Sequence, residues 1–311
     1  MLKISDQLRK APWLIYKDQE PASRTKQRIK EALAVQDKYP LSTEEIPYPD
    51  DTTPTGWNRE DIITPKGIHM HAYYPEVMPT GDDRVIFYIH GGGFMRGNEK
   101  WNRQNAITLT RYLGLPVYCC KYRCIPAYGY PAGLDDVEMA WDYLVSDREI
   151  SPDRLIVMGE SAGGNYVLAL TARLKAKGKG LPYKIVGFSS FLDMLEEGES
   201  YICNKDTDIL FKGHSSCNDP IVELYAGVSD RKNPEMSPFY ADFTGFPPTF
   251  LCADDNEIFV SDSLRTAEKM YFSQVPVQCY ITHDLFHAFE FEISDVSEAA
   301  DVFKAVKDFI Q

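Results

Sequence analysis

The segment from Leu155 to Ala169 restricts most strongly how this chain can fold. It starts with four apolar residues typical of a buried strand and ends with residues that predict a helix. Between them, Gly159-Glu160-Ser161-Ala162-Gly163 fits G-x-S-x-G, a sharp turn that raises a serine above the end of a parallel sheet. The simpler alternative is a strand-to-helix loop whose serine only caps the helix. We interpret Ser161 as a candidate nucleophile in an α/β protein.

A second glycine-rich segment, His90-Gly91-Gly92-Gly93-Phe94, directly follows another short apolar stretch that predicts a strand. Consecutive glycines expose backbone N–H groups and adopt backbone angles that other residues avoid. Loops of this type supply N–H groups to a developing oxyanion beside a G-x-S-x-G serine. We therefore predict an oxyanion hole formed by Gly92, Gly93 and Ala162. A P-loop is excluded because no G-K-[ST] follows.

A serine hydroxyl needs a base, and the chain has six histidines: His69, His71, His90, His214, His283 and His287. In this architecture the order along the chain is serine, acid, histidine, which favours the last three. We predict His287 as the base because it closely follows a predicted strand and precedes the small residue Ala288. His283 is interpreted as a polar loop residue.

The acid that orients the imidazole should follow the predicted strand Thr249 to Cys252. Three carboxylates stand there, Asp254, Asp255 and Glu257, and their spacing alone does not distinguish them.

Strand-like and helix-like segments alternate from about residue 60 to the end, which predicts a mostly parallel sheet with helices on both faces. Residues 1 to 37 are predicted to be helical, with an amphipathic helix over residues 2 to 16. Residues 194 to 236 interrupt the alternation. We predict a single domain, 1–311, whose helical cap is formed by about 1–45 and 194–236.

Charge and composition indicate which kinds of partner the protein is expected to bind. The net charge of −13 disfavours binding to nucleic acid or to an anionic membrane, and no apolar run is long enough to span a bilayer. The seven cysteines are odd in number and lack metal-site spacing, which favours reduced thiols and a cytoplasmic protein. His69 and His71 would share one face of a strand without a third metal ligand. We therefore predict no metal and no cofactor, and the oligomeric state stays open, a homo-oligomer included.

The chain resembles the hormone-sensitive lipase family of α/β-hydrolases. The matching motifs appear in family order: His90-Gly91-Gly92-Gly93-Phe94, Tyr122-Arg123, Pro131-Ala132 with Asp135-Asp136, Gly159 to Asn165, Ser237-Pro238, Pro247-Pro248 and His287-Ala288-Phe289. The resemblance implies an α/β-hydrolase fold, a Ser-acid-His triad, a glycine-loop oxyanion hole and a mobile helical cap. It also implies hydrolysis of small-molecule esters with short to medium acyl chains, acetyl esters among them.

The resemblance also ranks the three carboxylates. Ser261-Asp262 resembles the second acidic position of the family pattern, which places Glu257 at the catalytic position, with Asp255 next and Asp254 third. The chain departs from the family at Arg123-Cys124, where the usual glutamate further on is absent, and at Ala288, where glycine is common.

Two rival functions use the same residues differently. An amidase or lactonase would share the nucleophile and base, because a triad does not determine the leaving group. A ligand receptor on this fold is the other rival, and it is disfavoured because such relatives lose the histidine that this chain keeps as His287.

Overall fold

The computed structural model describes residues 1–38, 58–95, 99–212 and 220–311. Its strands are β1 Leu14–Tyr16, β2 Asn58–Ile63, β3 His69–Tyr74, β4 Val85–Ile89, β5 Val117–Cys120, β6 Leu155–Glu160, β7 Lys184–Phe188, β8 Thr249–Asp254 and β9 Val277–Thr282. Its helices are α1 Ser23–Lys38, α2 Glu99–Leu113, α3 Ala132–Ser146, α4 Ala162–Ala176, α5 Ser200–Cys203, α6 Pro220–Ala226, α7 Val260–Phe272, α8 Phe289–Glu292 and α9 Ser297–Ile310. Residues 39–45 of the predicted cap segment 1–45 and the candidate base His214 lie outside the described residues.

All of these strands form one sheet in the order β1-β9-β8-β7-β6-β4-β5-β3-β2. The pairs from β5 through β1 are parallel, and only β3 pairs antiparallel with its two neighbours. Parallel strands require crossover connections, which the helices between them provide. The predicted mostly parallel sheet is confirmed, and it brings the carboxyl ends of β4, β6, β7, β8 and β9 to one edge.

Two apolar cores lie on opposite faces of the sheet. Side chains of α3, α4 and α7 pack on one face, where Phe87 of β4 points. Side chains of α2 and α9 pack on the other, where the neighbouring residue Tyr88 points. Because side chains alternate along a strand, a strand covered on both faces must be apolar throughout, as the fully buried β4 and β6 are.

The prediction of an amphipathic helix over residues 2 to 16 is wrong. The structure has one short 3₁₀ turn at Leu8–Lys10 and then strand β1, which pairs in parallel with β9. Tertiary pairing overrides the local helical pattern here because the outer edge of β9 offers unpaired backbone groups. The later helix is confirmed as α1, which starts at Ser23.

The segment 194–236, predicted to form part of a cap, contains α5 and α6. Helix α6 lies beside the glycine-rich loop, since the rings of Tyr225 and Phe94 stack with centroids 4.0 Å apart. Helix α5 lies beside the turn after β8 and the start of α7, since the Ser200 hydroxyl donates to Ile258 O and Ser200 N–H donates to Ser261 Oγ at 2.9 Å. Both helices therefore border the edge of the sheet at which the strands end.

Candidate active site

Ser161 stands at the turn between β6 and α4 in a backbone conformation that serine rarely adopts. Its φ is 56° and its ψ is −121°, a strained geometry of the kind found at functional turns. Its N–H donates to Phe188 O at 2.9 Å, and its carbonyl accepts from Asn165 N–H at 3.1 Å. The strained turn is thus held by β7 on one side and by the first turn of α4 on the other.

Glycines allow the strand, the turn and the glycine-rich loop to meet. A Cβ at Gly159 would lie 2.6 Å from the carbonyl of Gly163, and one at Gly163 would lie 2.0 Å from Ile89 O. A Cβ at Gly91 would lie 3.0 Å from Ser161 Cβ. The loop after β4 therefore sits directly against the serine, as the two motifs predict.

The candidate oxyanion donors have backbone groups free for a ligand. Gly92 and Gly93 have positive φ, 96° and 62°, and Ala162 begins α4 directly after the serine. Across the described ranges, none of these three N–H groups donates a hydrogen bond to the protein. The N-terminus of α4 also adds the positive end of its dipole at this point.

Glu160 stabilises the glycine-rich loop through a hydrogen bond with its first glycine. Its carboxylate is fully buried and accepts Gly91 N–H at 2.7 Å as well as the hydroxyl of Tyr88. Burial raises the pKa of this carboxyl to about 7, although both of those hydrogen bonds favour the ionised form. Glu160 directly precedes the nucleophile, and Gly91 directly precedes the two donors of the loop. Their hydrogen bond thus ties the two segments together.

His287 and Glu257 are directly paired. His287 Nδ1 lies 2.8 Å from Glu257 Oε2, and both side chains are buried. Burial by itself would lower the pKa of His287, but the hydrogen bond and the charge of Glu257 raise it above its ordinary value of 6.5. Since Nδ1 faces the acid, Nε2 is the nitrogen left for proton transfer.

The two other acid candidates have different partners. Asp255 Oδ2 lies 2.7 Å from His283 Nδ1 and accepts the Tyr16 hydroxyl at 2.8 Å. Asp254 accepts the hydroxyl of Thr282 at 2.7 Å. The structure therefore brings only Glu257, of the three, to His287, and it gives His283 an acid partner of its own.

Ser189, which no sequence motif singled out, links the acid to the residue after the base. Its hydroxyl donates to Glu257 Oε1 at 2.7 Å and accepts Ala288 N–H at 2.9 Å. It follows Phe188, whose carbonyl holds the Ser161 turn. Serine, acid and histidine therefore follow β6, β8 and β9, with Ser189 after the intervening strand β7.

Two further residues near the pair, Asn204 and Asp208, also escaped sequence reasoning, because they lie in the irregular segment after α5. Asn204 donates to the carbonyls of Asp255 and Glu257. Asp208 accepts Ile258 N–H at 2.8 Å. The ring of Phe211 meets the His287 ring edge-on, with centroids 4.9 Å apart. No spacing rule links such residues to a triad.

The structure also bears on metals, thiols and membranes. Within the described ranges, no group of three or more metal-binding side chains comes together, and no helix is long and apolar enough to cross a membrane. The six cysteines that the structure describes are free. His71, one of the two histidines on β3, lies 2.8 Å from the carboxylate of Asp61.

Comparison with known proteins identifies the family. The model of a family with the α/β-hydrolase fold matches residues 86–291, which spans both glycine motifs and His287. An esterase from Acinetobacter venetianus is 28% identical over 233 residues, 73% of this chain and 74% of that protein. An acetyl-hydrolase from Streptomyces hygroscopicus is 27% identical over 66% of this chain and 68% of its own length.

Solved structures agree with these relatives. A hormone-sensitive lipase from a metagenome library superposes with a TM-score of 0.75 at 26% identity, covering 93% of this chain and 92% of its own. A second homologue of hormone-sensitive lipase from a metagenome library, EstE7, gives a TM-score of 0.73 at 27% identity, covering 91% of each chain. The chain belongs to the α/β-hydrolase fold family, as an enzyme of the hormone-sensitive lipase type.

Proposed function

We propose that this carboxylic ester hydrolase uses Ser161 as nucleophile, His287 as general base and Glu257 as the acid that orients the base. The contact that carries the proposal is the buried hydrogen bond of 2.8 Å between His287 Nδ1 and Glu257 Oε2. A buried carboxylate in this place fixes the imidazole tautomer and stabilises the imidazolium that forms during reaction. The strained turn at Ser161 presents the hydroxyl at the same edge of the sheet.

Two half-reactions follow from these roles. His287 Nε2 takes the proton of Ser161 Oγ as the oxygen attacks the ester carbonyl carbon. The tetrahedral oxyanion accepts hydrogen bonds from the N–H groups of Gly92, Gly93 and Ala162. Each of these hydrogen bonds stabilises the transition state by about 3–4 kcal/mol. His287 then protonates the leaving alcohol. In the second half-reaction His287 takes a proton from a water that attacks the acyl carbon, and it returns this proton to Ser161 Oγ as the carboxylic acid product leaves.

Large side chains near the reacting groups support a small acyl group. The rings of Phe211 and Phe259 both meet the His287 ring edge-on, with centroids 4.9 and 5.3 Å away. A Cβ at Gly93 would lie 3.7 Å from Ile221 Cδ1 of α6, so this helix lies close to the oxyanion loop. The similarity to an acetyl-hydrolase supports the same substrate class, short-chain and acetyl esters.

The assay is hydrolysis of p-nitrophenyl esters of graded chain length, with covalent labelling by a serine-directed phosphonate. Ser161→Ala is expected to stay folded and to lose both turnover and labelling. Full turnover in that variant, or a phosphonate adduct on another residue, would disprove the nucleophile. The profile is expected to peak at acetyl to butyryl esters, and a maximum at long chains would contradict the proposed acyl size.

The acid is tested by a matched pair of amide substitutions at Glu257 and Asp255, two positions apart in one turn. Glu257→Gln is expected to lower kcat by about 10²- to 10⁴-fold, because the imidazole loses its charged partner. Asp255→Asn removes a carboxylate that faces His283 instead and is expected to change kcat by less than about tenfold. The reverse ranking would assign the acid to Asp255.

A further inference from the structure

Asn204 occupies an unusual place beside the proposed acid. Its side chain is fully buried in the segment that follows α5, far along the chain from the turn after β8. Its amide nitrogen donates to Asp255 O at 2.8 Å and to Glu257 O at 2.7 Å. One side chain thus uses both amide hydrogens on the backbone of the turn that carries Glu257.

The carbonyl oxygen of the same amide is also used. Asn204 Oδ1 accepts the backbone N–H of Leu2. A few residues later, the N-terminal segment continues into β1, whose Tyr16 hydroxyl bonds to Asp255 at 2.8 Å. The acid turn is therefore held from two sides by one N-terminal segment, through Asn204 and through Tyr16.

These bonds determine where the Glu257 carboxylate can lie. Its backbone carbonyl is fixed by Asn204, and its Oε1 accepts Asp254 N–H at 2.7 Å as well as the Ser189 hydroxyl. These contacts hold the backbone and Oε1 of Glu257, and they leave Oε2 pointing toward His287. A shift of about 1 Å at such a site costs on the order of 10²-fold in rate.

We propose that Asn204 is a positioning residue for the reaction: it locks the turn that carries Glu257 and so keeps that carboxylate aligned with His287. The inference rests on the proposed function, since it takes Glu257 as the acid. Asn204 acts through Glu257 and does not itself touch the reacting atoms.

The test is Asn204→Leu, which keeps the approximate size of the side chain, adds no charge and removes all three hydrogen bonds. We expect kcat to fall about 10- to 100-fold with KM changed less than about threefold. We also expect the acid limb of kcat/KM to move to lower pH, because a misaligned Glu257 no longer raises the pKa of His287. The other acidic groups that interact with His287 keep their identity in the variant: Asp208, Glu290, Glu160 and Glu292.

Controls separate positioning from loss of folding stability. Asn233 lies in the same segment, 194–236, as Asn204. Its side-chain amide donates to the Tyr130 hydroxyl and accepts Glu235 N–H, and within the described ranges it makes no hydrogen bond to the acid turn. Asn233→Leu should lower the melting temperature and leave kcat and the pH profile as in the unmodified protein. If Asn204→Leu does not fold, Asn204→Ser keeps one hydroxyl donor and should show the same changes at smaller size.

Three distinguishable results would overturn the inference. In the first, Glu257→Gln loses most of its kcat, while folded Asn204 variants keep the kcat and the pH dependence of kcat/KM of the unmodified protein. Asn204 would then have only a structural role, and the proposed function would stand. If Asn204→Leu and Asn233→Leu lower kcat equally, the effect belongs to general destabilisation. If Glu257→Gln itself retains activity, the proposed acid is wrong, and this outcome is distinct from the first two.

Discussion

Replacement of Gly163 by alanine tests whether close packing of α4 against the loop after β4 builds the site. The added Cβ would lie 2.0 Å from Ile89 O and 2.6 Å from His90 O, whereas such contacts are essentially never below 3.0 Å. The helix and the loop must therefore separate by about 1 Å. Both neighbours are backbone atoms, so rotation of a side chain cannot relieve the clash.

The magnitude follows from two opposing effects. Alanine in place of glycine in a helix gains about 1 kcal/mol in propensity. Overpacking in a well-packed region costs typically 1–3 kcal/mol, and rigid backbone neighbours place Gly163→Ala at the upper end, around 3 kcal/mol. We expect a net loss of about 2 kcal/mol in the free energy of unfolding. Because Gly91 to Gly93 move with the loop, kcat/KM should fall about 10²-fold.

Gly178→Ala is the matched control, just beyond the other end of α4. No atom lies within 4 Å of its added Cβ, and its φ of +62° makes the substitution cost about 1–2 kcal/mol through backbone strain alone. The assays are urea unfolding and kcat/KM with p-nitrophenyl acetate. Unmodified activity in Gly163→Ala, or an equal loss of activity in Gly178→Ala, would refute the packing argument.

Two further predictions concern pH. His287 must be neutral to accept a proton, and its pKa is raised above 6.5. We therefore expect kcat/KM to decline as pH falls through a midpoint above 6.5, and we expect Glu257→Gln to lower that midpoint. An unchanged midpoint in Glu257→Gln would contradict the pairing of His287 with Glu257. Burial raises the pKa of Glu160 and Glu290 to about 7 and that of Asp262 to about 8. A carboxyl with a raised folded pKa contributes stability that is present below its unfolded pKa and is lost as pH rises through its folded pKa. The melting temperature should therefore fall as pH rises from about 4.5 to about 8; a rise would contradict this assignment, and Glu160→Gln should flatten the trend.

The parts of the site that the sequence predicted are those formed by local structure. Ser161 and the glycine loop each follow a strand directly, so their motifs contain most of the geometry that places them. His287 was predicted from the order of residues and a preceding strand, and it does follow β9. Their roles in catalysis remain predictions for the assays above.

The acid was harder because it depends on how one turn folds. Strand β8 continues to Asp254, and Glu257 N–H then donates to Asp254 O at 3.1 Å. This turn sends Asp255 toward β1 and Glu257 toward His287. Nothing in the order of the residues encodes that divergence, and only the family resemblance ranked Glu257 first.

The N-terminal prediction was wrong for a related reason. The apolar spacing of residues 2 to 16 suits a helix, but hydrogen bonding of β1 to β9 depends on a distant strand. Likewise, Ser189 and Asn204 contact the acid across long sequence separations, which no local pattern reveals.

The pairing of β1 with β9 also affects how the enzyme is made. Leu14 lies opposite Cys279, so nearly the whole chain separates the two partners. Contacts of such separation carry a high loop-closure entropy and form late. A ribosome-bound chain that has not yet released β9 leaves β1 without its partner and the acid turn without its brace. Ester hydrolysis should therefore begin only after β9 has been made and has paired with β1, which makes activity a reporter of that pairing.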